Sequence, residues 1–197
     1  GAFAPFVAEK YTYICKGEYA DSGNVYTKSA FDENCDMKNV ERAYNKMAGG
    51  YDSNNPVSFE NSLIGAGFSD YVNTYYETLK GKGAQMYYVF CPVNEASVSD
   101  FEAIDPFCDF LRSEFKFPLL GSPYSSLYEA EWFYDSNFHL NASGMTVRSV
   151  QLLEDIKNLL KISAPTEIPL PEKPEIPEDE IAGEGNNDYA SAFLYEI

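Results

Sequence analysis

The chain of 197 residues carries 14 Lys and Arg against 31 Asp and Glu, a formal charge of −17, with 45% hydrophobic and 16% aromatic residues. That apolar content excludes a chain disordered throughout, and the acid excess excludes binding to nucleic acid or anionic lipid, which need clustered Lys and Arg. No apolar run approaches the roughly 20 residues of a membrane-spanning helix, so no membrane span is expected.

In chain order, Gly1-Ala2-Phe3-Ala4 has neither a basic nor an apolar leader region, so no intact signal peptide stands there. Residues 11–15 are a β-prone run ended by Lys16-Gly17. Asp36 is expected to cap a helix to about Ala48, with Val40, Ala43, Tyr44 and Met47 on one face and Gly49-Gly50 closing it. Residues 51–56 read as loop. A second helix is expected over 68–80, because Phe68, Tyr71, Val72, Tyr75 and Leu79 recur at helical spacing; Ser69 caps it and Gly81 and Gly83 end it.

Residues 85–91 are the strongest strand, apolar enough to be covered on both faces, and Pro92 stops it. Asp105 is expected to cap a helix with Pro106 at its first position and Phe107, Phe110 and Leu111 inward. Residues 117–120 are a short strand, and a last helix is expected over 141–161, with Met145, Leu152, Leu153, Ile156, Leu159 and Leu160 inward. Alternating strands and helices imply an α/β fold with a mostly parallel sheet, whose chemistry gathers at the carboxyl ends of the strands.

An α/β domain over 1–163 is expected, followed by an acidic, proline-rich tail over 164–197 that ends in an aromatic segment. Five prolines from Pro165 to Pro177 favour extended chain. The tail reads either as a solvated acidic linker or, because Tyr189, Phe193, Leu194, Tyr195 and Ile197 would otherwise stay in water, as a segment whose end docks on its own domain or on a second copy. Cys15, Cys35, Cys91 and Cys108 form no C-x-x-C pair, so they read as buried thiols or as one or two disulfides of an exported protein. With one histidine in the chain, no zinc site is expected.

That histidine lies in Phe133-Tyr134-Asp135-Ser136-Asn137-Phe138-His139-Leu140-Asn141-Ala142-Ser143-Gly144. A carboxylate four residues before a histidine can fix the imidazole tautomer and stabilise its protonated form. Asn141 can cap the helix that follows and hold the loop rigid. Asp135…His139-Leu140-Asn141…Gly144 resembles the last sequence block of the SGNH (GDSL-type) hydrolase superfamily. The spacing is longer than the usual Asp-x-x-His, since Ser136 holds the usual acid position. In this it is similar to a bacterial branch of cell-surface acyl-transfer proteins.

Tyr88-Val89-Phe90-Cys91-Pro92-Val93-Asn94 resembles the strand-Pro-x-Asn segment of that branch. The resemblance spans about residues 68–161. It implies a three-layer α/β/α, flavodoxin-like domain, incomplete on its N-terminal side. His139 would be the general base, Asp135 its orienter, and Asn94 and Asn137 oxyanion or substrate contacts, with no cofactor. The implied function is an esterase or acyltransferase acting on ester-linked acyl groups of extracellular carbohydrate, outside the cytoplasm.

The family's Gly-Asp-Ser nucleophile block has no counterpart after an apolar strand. Asp21-Ser22-Gly23 is the nearest string, which makes Ser22 the candidate, while Asp52-Ser53 follows a Gly-Gly turn. The chain is then either the C-terminal part of a larger enzyme or a non-catalytic relative. The latter would be a carbohydrate-binding or structural module whose Tyr124, Tyr128, Trp132, Phe133 and Tyr134 contact sugar. In either case small esters are expected to turn over negligibly.

Overall fold

A computed structural model describes residues 31–34 and 42–177. The chain divides into two compact units, Gly1–Glu41 and Arg42–Ile197. In the first, the Asn34 N–H bonds the Asp32 carboxylate at 2.8 Å. The expected strand at 11–15, the start of the helix at 36–48, the 189–197 segment, Ser22, Cys15 and Cys35 lie outside the described residues.

The second unit is mixed α/β. Its described elements are α1 (Phe68–Gly81), β1 (Tyr88–Val89), β2 (Val93–Asn94), α2 (Ile104–Glu114), β3 (Leu119–Leu120), β4 (Leu127–Tyr128) and α3 (Ala142–Leu160), with short 3-10 turns between them. The strands form two parallel pairs, β1 with β3 and β2 with β4, in register Tyr88 to Leu119 and Val93 to Leu127. No described helix is long and apolar enough to cross a membrane.

The strand expected over 85–91 is paired only at β1. Pro92 offers no N–H to a ladder, and the Phe90 carbonyl is taken by the Arg148 guanidinium, which also donates to the Ser126 hydroxyl at 3.2 Å. Nor is the segment covered on both faces. Phe90 is buried, while Val89 and Cys91 are exposed.

The main core packs Phe90, Ile104, Cys108, Leu111, Phe115 and Phe117, with Val72, Tyr76, Met86, Tyr88 and Phe107 against it. Phe115 stacks on Phe117 at 4.9 Å between centroids. Ile104 and Leu111 have no exposed surface, and complete burial of each contributes about 1.5–3 kcal/mol.

α1 spans nearly the expected residues, but its buried face is turned by one position. Phe68, Tyr71 and Tyr75 are exposed, and the buried residue is Asn73. Its side chain donates to the Glu114 carbonyl at 2.8 Å and accepts from the Lys116 N–H at 2.8 Å, replacing two lost water contacts. Gly67 rather than Ser69 is the N-cap, in the left-handed region. Gly83, at φ +79°, ends the helix by donating to the Lys80 carbonyl at 3.0 Å.

α2 starts at Ile104, so Asp105 lies within the first turn instead of capping it, and Pro106 is its third residue. α3 follows expectation at its start, where the Asn141 side chain accepts the Gly144 N–H at 2.9 Å. Its outer positions Met145, Leu153, Ile156, Leu159 and Leu160 are exposed, contrary to the inward stripe read from the sequence.

Residues 42–47, expected as the end of a helix, are irregular. The Asn45 side chain bonds the Met47 N–H at 2.7 Å, and the Lys46 N–H bonds the Tyr134 carbonyl at 2.6 Å, so both ties compete with helix formation.

The proline run has no regular secondary structure, and it lies against the domain. Lys157 donates to Thr166 at 2.8 Å, Lys173 pairs with Glu129 at 2.7 Å, and the tip of Ile176 comes 3.6 Å from where a Cβ on Gly50 would stand.

Candidate functional site

Residues 133–140 form a hairpin-like loop that delivers the histidine. Phe133 and Leu140 pair as an antiparallel bridge, and the Tyr134 N–H bonds the His139 carbonyl at 2.8 Å. Both ends are anchored by burial, since Phe133 is fully buried and Leu140 nearly so, against Met47 with Tyr128 and Trp132 around them. Inside the loop the Ser136 hydroxyl accepts the His139 N–H at 3.1 Å. That contact folds the tip back so that Asp135 meets the ring.

His139 Nδ1 lies 2.9 Å from Asp135 Oδ1, with the imidazole 47% exposed and the carboxylate 14% exposed. The sheltered carboxylate can hold the ring and its tautomer, while the ring still reaches solvent.

Three further sequence candidates are built into the frame of this loop. Asn94 is fully buried; its amide donates to the Gly50 carbonyl at 2.9 Å and its oxygen accepts from the Ala96 N–H at 3.2 Å. Asn137 does not touch His139. Its amide donates to the carbonyls of Asp52 and Asn55, both at 2.9 Å, and its oxygen accepts the Asp52 N–H at 2.9 Å. The Asn94 N–H bonds the Asn137 carbonyl at 2.9 Å, which ties β2 to the histidine loop. Asn141 adds two bonds beyond its cap, to the carbonyls of Glu131 at 2.6 Å and Phe133 at 3.0 Å.

Asn45 escaped the sequence reading. Its amide donates to the carbonyls of Gly50 at 2.7 Å and Ala130 at 2.6 Å. Four buried asparagines thus hold together the turn at 49–55, the 3-10 turn Ala130–Trp132, β2 and the start of α3. The hint was in the Gly49-Gly50 pair: Gly50 has φ +82°, and a Cβ there would come within 3.1 Å of Ala130. The Asp52-Ser53 string is therefore brought beside the histidine loop through Asn137.

Gly144, at the end of the block, lies where a Cβ would come 2.2 Å from the Trp132 carbonyl oxygen. Of the five rings expected to face sugar, Tyr124 is exposed, Phe133 and Tyr134 are buried, and Tyr128 and Trp132 pack against the small core. Cys91 and Cys108 are free thiols. Burial raises the pKa of both, with the Arg148 charge pulling the first back and the Arg112 charge the second. No three His, Cys, Asp or Glu side chains gather as metal ligands among the described residues.

An apolar cleft of about 210 Å³ opens where β1 and β3 end and β2 and β4 begin, with Phe138 on its wall. No family model, curated protein or solved structure matches the chain.

Proposed function

We propose that this chain carries the acid–base half of an acyl-transfer site, as an SGNH-like esterase or acyltransferase or the C-terminal part of one. Its substrates would be ester-linked acyl groups of extracellular carbohydrate. The observation that carries the reading is the 2.9 Å contact between Asp135 and His139, held on an anchored loop at the N-terminus of a long helix. In ester cleavage the imidazole accepts the proton of the attacking hydroxyl and then returns it to the leaving oxygen, while the carboxylate stabilises the imidazolium between those steps. A three-layer, flavodoxin-like arrangement belongs to this reading. So does an extracytoplasmic location.

Asn94 and Asn137 enter it as frame residues, since their amides are spent on the 50–55 backbone. The oxyanion donors must then come from elsewhere. The rival reading, a sugar-binding module with an aromatic platform, has less support, because only Tyr124 of its five rings is well exposed.

The test is hydrolysis of p-nitrophenyl acetate by the whole chain, compared with His139→Ala, Asp135→Asn, Ser22→Ala and Ser53→Ala. Without a Gly-Asp-Ser block the rate is expected to be low, with the imidazole acting as general base on water. What rate there is falls to background in His139→Ala and by at least tenfold in Asp135→Asn. A rate unchanged by His139→Ala overturns the catalytic reading.

A further inference from the structure

α3 is built the wrong way round for a surface helix, whose outer face is normally polar. Met145, Ser149, Leu153, Ile156, Leu159 and Leu160 are exposed, so a nearly apolar stripe at helical spacing runs along it in solvent. Its charged side chains are engaged elsewhere. Arg148 holds the Phe90 carbonyl and the Ser126 hydroxyl, Lys157 holds Glu154 and the Thr166 hydroxyl, and Asp155 accepts from Gln151 at 3.3 Å. The helix has two basic and two acidic residues, so the chain's net charge of −17 arises wholly outside it. The proline run, tied down through Thr166 on the Lys157 side, leaves the stripe open.

The stripe also reads alike in both directions. Outward from Ile156, Leu153 and Leu152 on one side match Leu159 and Leu160 on the other. When two such helices lie antiparallel across a two-fold axis at Ile156, the 3.6-residue period sets Leu153 of each copy against Leu160 of the other. Leu152 then meets Leu159, and Ile156 meets itself. Every layer is apolar on apolar, which is the self-complementarity an isologous interface requires.

We infer that the outer face of α3 is an interface for a second copy of this chain, packed antiparallel about Ile156. The inference is independent of the acyl-transfer reading. A neutral stripe on a chain of net charge −17 is where two copies approach with least repulsion. A single helix seam is small beside the about 800 Å² per partner of a standard interface, so the dimer is weak and dissociates at roughly tens of micromolar. Because α3 follows the histidine loop directly, the antiparallel arrangement sends the two His139 loops to opposite ends, about 40 Å apart at 1.5 Å per residue.

The test is sedimentation velocity of the whole chain over a series of concentrations, in low and in high salt. A monomer–dimer equilibrium is expected that tightens as salt rises, because screening removes the repulsion between acidic copies while the apolar seam persists. Ile156→Lys sets two like charges face to face at the axis and should raise the dissociation constant at least about a hundredfold, since each chain loses its own anchor. Leu160→Glu, at a position 56% exposed, should weaken the dimer with the cooperative melt kept, and Tyr71→Lys on the exposed face of α1 should leave it unchanged. Orientation is read by oxidising an equimolar mixture of Leu153→Cys and Leu160→Cys chains and identifying the linked peptides by mass. Mixed disulfides are expected to exceed self-linked ones.

A chain still monomeric at about 1 mM overturns the inference. So does a dimer that both Ile156→Lys and Leu160→Glu leave intact, since the copies then meet through another surface. A monomer whose melting temperature either substitution lowers sharply overturns it too, because the stripe is then covered by the chain's own residues. Self-linked chains in excess of mixed ones overturn the antiparallel arrangement.

Discussion

Around α2, six buried side chains from Phe90 to Phe117 meet through rings and methyl groups. Around the histidine loop, four buried asparagines make eleven side-chain hydrogen bonds, all to backbone. The first kind of contact has no preferred direction and tolerates a change of shape if volume is kept. The second fixes direction as well as distance, and each lost partner leaves a buried polar group unsatisfied. A loop that must hold an imidazole against a carboxylate needs the second kind. The domain thus has an apolar part that supplies stability and a polar part that supplies geometry.

The largest break in this contrast is expected from Gly144→Ala. The new methyl would come 2.2 Å from the Trp132 carbonyl oxygen, which already accepts the Asn141 N–H at 2.9 Å. Neither the helix start nor the loop can give way without losing the other. Urea unfolding should show a loss of more than about 4 kcal/mol, at the exceptional end for one substitution. A loss under about 1 kcal/mol would show that the two elements slide past each other freely.

A sharper test compares conservative changes on the two sides. Leu111→Met keeps volume and should cost under about 1.5 kcal/mol. Asn141→Asp keeps shape, but it removes the donors to Glu131 and Phe133 and buries a charge. At about 1–3 kcal/mol for each unsatisfied group, it should cost about 3–5 kcal/mol. Equal costs for the two would erase the distinction.

How far the sequence revealed this arrangement follows the same division. The start of α3 was legible because Asn141 is a cap whose partner, Gly144, lies three residues away. The Asp135–His139 contact was legible because it spans four residues. The roles of Asn94 and Asn137 were not, since an amide can face either a substrate or backbone. The partners of Asn137 at Asp52 lie 85 residues away in sequence. The helical period of α1 was legible, but its face was misjudged by hydropathy, because a satisfied Asn73 is buried where Tyr71 and Tyr75 were expected.

The smallest effect is expected where the proline run meets the domain through exposed ion pairs. Glu129 beside Lys173 raises the lysine's pKa, and Lys157 with Thr166 lowers that of Glu154. The Lys173 contribution is therefore complete below the ordinary lysine range and is lost as pH rises past its raised value. The Glu154 contribution is present above the carboxylate range and is lost as pH falls through its lowered value. Limited proteolysis within 164–177 should quicken in Lys173→Ala and at high salt, with the melting temperature nearly unchanged. Unaltered cleavage would place the hold on Ile176 and the Thr166 hydroxyl.

The return path of that segment sets where the described chain ends. α3 carries the chain about 28 Å away from the histidine loop, at 1.5 Å for each of its 19 residues. The proline run then brings it back, so that Ile176 lies against Gly50, whose carbonyl Asn45 and Asn94 both hold. The described chain therefore ends on the side of the domain that bears His139, and not at the far end of the helix.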